Sequence, residues 1–188
     1  MQAQKGSMGR ANALKGELTV RLEETSRAPA DAVYDLLVDI SSHLEWGGRQ
    51  QKKTYRLLSV VAPDGPARIG TEFRSTGADA MGTFADSSVV TEATRPGLFE
   101  FVTEAKLSTK KGPVVEWTTV HRYEIATQAD GCTIDYSFRT VRMSKLPGAL
   151  VAFKIPGLRG IGLRMGGSNL RKGLRNLARL AEERAGTC

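Results

Sequence analysis

His121 stands in "VVEWTTVHRYEIAT" (114–127), a run that alternates between aromatic or apolar residues and polar ones. Alternate side chains of an extended strand share a face, so His121 lies on the same side as Trp117, Thr119, Tyr123 and Ile125. An imidazole titrates near neutrality and suits general acid or base work. The run "CTIDYSFRTVRM" (132–143) groups Ile134, Tyr136 and Phe138 in the same way. Tyr123 and Tyr136 each add a hydroxyl that needs a partner once buried. An imidazole with two phenols could polarise a ketone or shuttle a proton, and His121, Tyr123 and Tyr136 form the best such set in the chain. The plain alternative is a hydrogen-bonded structural histidine beside core aromatics.

Other chemistries fail on spacing. His43, the second of two histidines, lies in a helical stretch, and neither histidine has a second ligand at a metal-binding interval. "GLRGIGLRMGG" carries Met165 where a dinucleotide fingerprint needs Gly, and no strand precedes it. GxxxxGK[ST] and GxSxG are absent from the sequence. Glu23 and Glu24 point to opposite faces of a strand, which does not suit a shared proton. No cofactor and no metal is called for.

The elements that must position these residues follow from periodicity. "GELTVRLEETS" (16–26) alternates as a half-buried strand. After it, Pro29 suits a first helical turn, and Ala32, Val33, Leu36, Leu37 and Ile40 recur at helical spacing. A second short helical turn, "SHLEW", ends at Trp46 before "GG". Six strand-like runs follow, over 52–62, 70–76, 83–94, 98–108, 114–127 and 132–143, separated by Gly, Pro and Asp turns. Phe99, Phe101, Thr103 and Leu107 share one face of the fourth run.

The remainder is helical but interrupted, with a start at Pro147, a break or kink at Pro156 and a Gly-rich middle. Beyond Ser168, Leu170, Gly173, Leu174, Leu177, Leu180 and Ala181 fall on one arc, while Arg171, Lys172, Arg175 and Arg179 fall opposite. The simplest packing is an α+β fold: one strongly curved antiparallel sheet of six or seven strands around a long C-terminal helix, with two short helices after the first strand. A curved sheet and a helix rarely fill the space between them, so a cavity is expected there.

The chain of 188 residues is 40% hydrophobic and 25% charged, an ordinary globular composition. Residues 17–186 read as one domain behind a flexible tail, 1–16, which has no secretory pattern. Cys132 and Cys188 lack metal or redox spacing, which fits a cytoplasmic protein. The net charge of +7 belongs to the last 44 residues, which hold nine basic residues against Glu182 and Glu183. A solvated helix face explains this. A second explanation is transient contact with an anionic membrane, for which the Leu, Ile, Phe and Arg mixture near Pro156 is suited. Nucleic acid is disfavoured as a partner, because no recognised module or aromatic interleaving accompanies the basic stripe.

With "VRLEETSRAPADAVYDLLVDISSHLEW", "ARIGTEFR", "VVTEATRPGLFEFV" and "GCTIDYSFR", the chain resembles the helix-grip superfamily known as SRPBCC or START-like. It is most similar to the polyketide cyclase/dehydrase-like and coenzyme-Q-binding branches, over roughly residues 17–186. The resemblance implies a deep apolar cavity that holds lipids, polyketides, isoprenoids or other hydrophobic molecules, with cyclisation or aromatisation in some relatives. The expected function is therefore binding of a hydrophobic small molecule or lipid between sheet and helix. The alternative is a polyketide cyclase or aromatase working through His121, Tyr123 and Tyr136 in the same space. The expected cavity wall comprises Trp46, Phe99, Phe101, Trp117 and Thr119, then His121, Tyr123, Tyr136 and Phe138, with Met165 from the helix.

Overall fold

A computed structural model describes residues 18–48, 55–79, 82–110, 112, 114–144 and 156–187, apart from the side chains of 18, 79 and 156–166. The tail 1–16, the segment around Pro147, Cys188 and the side chain of Met165 lie outside that description.

The chain order is β1 (Leu18–Ser26), α1 (Ala30–Val38), a 3-10 turn (Ile40–Ser42), α2 (His43–Trp46), β2 (Tyr55–Val61), β3 (Glu72–Asp79), β4 (Gly82–Thr94), β5 (Leu98–Thr109), β6 (Val115–Gln128), β7 (Gly131–Met143) and α3 (Pro156–Ala185). The strands form one antiparallel seven-stranded sheet in the order β1-β7-β6-β5-β4-β3-β2. The sheet curls into a half-barrel, because twist accumulates over long strands and three register shifts sharpen it, at Leu57/Ser59, Val90/Glu92 and Thr118/Thr119.

The handover from β1 to α1 is held from a distance. The Ser26 hydroxyl donates to the Ala178 carbonyl on α3 at 3.2 Å and accepts the Ala28 N–H at 3.2 Å. The Arg27 N–H donates to Glu182 Oε1 at 2.8 Å. Pro29 is extended and caps α1, one residue before the first helical turn where its type suggested it would sit. The β6–β7 hairpin packs beside this corner. Gly131 has φ +134°, and a Cβ there would lie 2.0 Å from the Ser26 carbonyl oxygen, so only glycine fits.

α3 runs unbroken from Pro156 to Ala185, so the Gly-rich stretch does not interrupt it. The expected break at Pro156 falls against residues 145–155, which lie outside the described residues. Leu174, Leu177, Ala178 and Ala181 are buried, while Arg171, Lys172, Arg175 and Arg179 are exposed. α1 buries Val33, Leu36 and Leu37 against the same core.

The core divides in two. The larger cluster joins α1, α2 and α3 to one end of the sheet. The smaller, built on Leu57, Phe84, Leu107 and Val115, packs the other end. Among the described residues, the space between the two clusters stays open.

Candidate functional site

That space is a cavity of about 400 Å³ between the concave face of the sheet, α2 and α3. Register makes its wall legible as rungs of directly paired residues. Nearest the helices, Tyr123 pairs with Tyr136, and Tyr136 with Leu22. The next rung runs Val90, Phe101, His121, Phe138 and Val20 from β4 to β1. Beyond it comes a hydroxyl rung of Ser88, Thr103, Thr119 and Thr140, all buried. A fourth rung holds Ser75, Asp86, Ala105 and Trp117. Phe84 and Leu57 then lead into the smaller core cluster.

The aromatic end is a connected network. The Tyr123 and Tyr136 hydroxyls hydrogen-bond each other. The Tyr136 hydroxyl meets His121 Nδ1 at 2.9 Å, and His121 Nε2 meets the Thr119 hydroxyl at 3.3 Å. In one tautomer Tyr136 donates to Nδ1 and Nε2–H donates to Thr119; in the other both bonds reverse. The His121 ring stacks on Phe101, with centroids 4.6 Å apart and 9° between planes. The small fraction of His121 that protein atoms leave uncovered faces the cavity. Burial, with His43 nearby, pushes the imidazole down to about 3, so His121 is neutral at physiological pH. Burial pushes the Tyr123 and Tyr136 phenols up.

Trp46 closes the helical cover over this end. Its Nε1–H donates to the Ser42 hydroxyl at 3.2 Å, and its ring meets Tyr123 edge-on at 6.2 Å. Ser42 in turn donates to the Leu36 carbonyl at 2.7 Å. From α3, the Asn176 side-chain amide donates to the Trp46 carbonyl at 3.3 Å, and Gly173 and Leu174 reach the cavity.

Of the residues singled out from sequence, Trp46, Phe101, Trp117 and Thr119 line the cavity. So do His121, Tyr123, Tyr136 and Phe138. Phe99 does not. It is fully buried behind the wall, because Tyr34 of α1 packs edge-on against its ring at 6.5 Å.

Among the lining residues that the sequence reading did not name as cavity wall are His43 and Asp86. His43, placed there in the helical entry, turns inward. Its Nε2–H donates to the Leu37 carbonyl at 2.9 Å, and its ring lies 4.6 Å from Trp46. Burial pushes His43 down to about 4, against the opposing pull of the Leu37 carbonyl and Asp39. The second is Asp86, on the inward face of β4 between Phe84 and Ser88. Among the described residues, its Oδ1 is the buried side-chain oxygen left without a hydrogen-bond partner. Burial pushes its carboxyl up to about 7. The alternation of "FADSSV" puts Asp86 on the same strand face as Phe84 and Ser88, and that is the sequence signal for its inward position.

Among the described residues no group of three or more His, Cys, Asp or Glu is arranged to hold a metal ion. No described helix is long and apolar enough to cross a membrane.

No protein-family model and no curated protein matches the chain. Solved structures do match in fold. An uncharacterized protein from Rhizobium leguminosarum superposes with a TM-score of 0.63 at 14% identity, covering 89% of this chain and 96% of that one. The di-domain aromatase/cyclase StfQ of the steffimycin biosynthetic pathway gives 0.58 at 14% identity, over 90% of this chain and 52% of StfQ. Ara h 8.0201 gives 0.58 at 12% identity, over 89% of this chain and 99% of that protein. At such identities the likeness is one of fold, consistent with a helix-grip architecture.

Proposed function

We propose that the protein binds a hydrophobic small molecule in the cavity between its sheet and C-terminal helix. The observation that carries this is a chamber of about 400 Å³ with a wall of aromatic and aliphatic side chains and a few polar groups at defined rungs. Such a chamber gains affinity from apolar burial, about 25 cal/mol per Å² before ordering costs, and orientation from the polar groups. The hydrogen-bonded His121 and Tyr136 suit orientation better than proton transfer. At physiological pH the imidazole is a weak base and both phenols are weak acids, so neither is matched to shuttling a proton.

The test is native mass spectrometry of the freshly purified full chain, with solvent extraction of whatever it carries. An apolar compound bound at one per chain is the expected result. A chain that carries nothing and takes up no apolar probe would overturn the reading.

A second reading, catalysis of the cyclase or aromatase kind, is favoured by the convergence of His121, Tyr123 and Tyr136 in one cavity and by the fold likeness to StfQ. It requires turnover of a linear polyketone that the Tyr136→Phe protein, with binding intact, fails to perform.

A further inference from the structure

Among the described residues, the titratable groups facing the cavity are Asp86 on β4, His43 on α2, Tyr55 on β2, His121 and Tyr123 on β6, and Tyr136 on β7. Burial holds both imidazoles neutral, and no Lys or Arg is among the described lining residues. Among the described lining residues Asp86 is thus the one carboxyl, and none of them is a cation. Its neighbours across the sheet are Ser75 and Ala105, and its own-strand neighbours on that face are Phe84 and Ser88. No described residue hydrogen-bonds its Oδ1.

Two further observations select among ligands. Aromatic side chains line the same part of the cavity: Phe84, stacked on Tyr55 with centroids 5.2 Å apart, precedes Asp86 by two residues, and Trp117 lies beyond Ala105 on the same rung. Carboxylate and aromatic faces together attract a cation. An anionic ligand would meet Asp86 with no positive group among the described lining residues to offset it. A hydroxyl would donate a hydrogen bond but leave the buried charge standing, whereas an ammonium group does both.

We infer that the cavity takes a hydrophobic amine, its ammonium group paired with Asp86 and its apolar body lying along the aromatic wall toward His121. This rests on the binding reading above and gives it a ligand class. The rung of Asp86 and that of His121 are two steps apart, about 13 Å along the strands, which leaves room for a fused-ring or long aliphatic body.

The experiment compares three probes that differ in one group: naphthalen-1-ylmethylamine, naphthalen-1-ylmethanol and 1-naphthoate. Each is titrated calorimetrically at pH 8 into the full chain and into the Asp86→Asn variant, which keeps the side chain's shape. The expected order for the native chain is amine tighter than alcohol by about tenfold or more, with naphthoate weakest. In Asp86→Asn the amine loses that advantage, while the alcohol stays within about twofold. An alcohol that binds as tightly as the amine, or an amine preference that survives in Asp86→Asn, overturns the inference and leaves the container standing. Failure of all three probes overturns both. Should the variant fail to fold, the order of the three probes on the native chain decides alone.

Discussion

Asp86 is costly where it stands. Its folded carboxyl titrates near 7 against an ordinary value of 3.8, because burial disfavours the ion. A raised acid is protonated in the folded chain before the unfolded one, so its ionisation costs stability as pH rises. The cost is absent below about pH 3.8, grows between 3.8 and 7, and is fully present above 7. Asp86→Asn should therefore stabilise the protein at pH 8 by roughly 2–4 kcal/mol and change little at pH 4. Urea denaturation at the two pH values measures it, and an equal effect at both would contradict the assignment. A side chain that opposes folding at neutral pH, yet points into a cavity, has the energetics of a group waiting for a partner.

At the scale of elements, strand faces govern what the protein can hold. The inward faces of β5, β6 and β7 were legible from alternation alone, because period two leaves no other assignment once one face is apolar. The rungs were not. They depend on register, which is set by turns and bulges, and no residue type announces that Thr103 pairs with Thr119 and Thr119 with Thr140. Nor could alternation separate core from wall. Phe99 and Phe101 share a face, and only the placement of Tyr34 puts one behind the cavity and the other on it.

His43 was hidden because a four-residue helix has too few positions to define a face. Ala105, central on the fourth rung, offers a direct handle on the container. Ala105→Phe should fill the cavity at a cost below about 1 kcal/mol, since the added ring enters open space instead of a packed core. Bound naphthyl probes should weaken by at least about tenfold, read by the same titration. The hairpin corner is less forgiving. Gly131→Ala sets a methyl against the Ser26 carbonyl and should cost about 2 kcal/mol or more, seen as a lowered urea midpoint.

Across the whole molecule, charge is arranged so that the exterior and interior respond separately to pH. Three described basic side chains of α3 are engaged with acids of this chain: Arg175 with Glu24, Arg179 with Glu183, and Arg184 with Glu45 and Asp39. These exposed pairs contribute little stability and are screened by salt. The interior groups differ, since water cannot screen them.

His43 and His121 titrate near 4 and 3 in the folded chain, both below the ordinary 6.5, because burial disfavours the imidazolium. The unfolded chain therefore binds protons first as pH falls, and stability drains away below about 6.5. Each histidine removes up to 1.4 kcal/mol per pH unit, and protonation of Asp86 returns about the same amount over the same range. Two losses against one gain leave a stability curve that is nearly flat around pH 7 and falls by about 1.4 kcal/mol per unit between pH 6 and 4.5. Unfolding free energies at half-unit intervals across that range would show it, at constant ionic strength so that the surface pairs stay equally screened. A curve that stays level down to pH 4.5 would mean that the two imidazoles are not held neutral. The aromatic end of the cavity would then carry positive charge in mild acid, which would oppose a cationic ligand there.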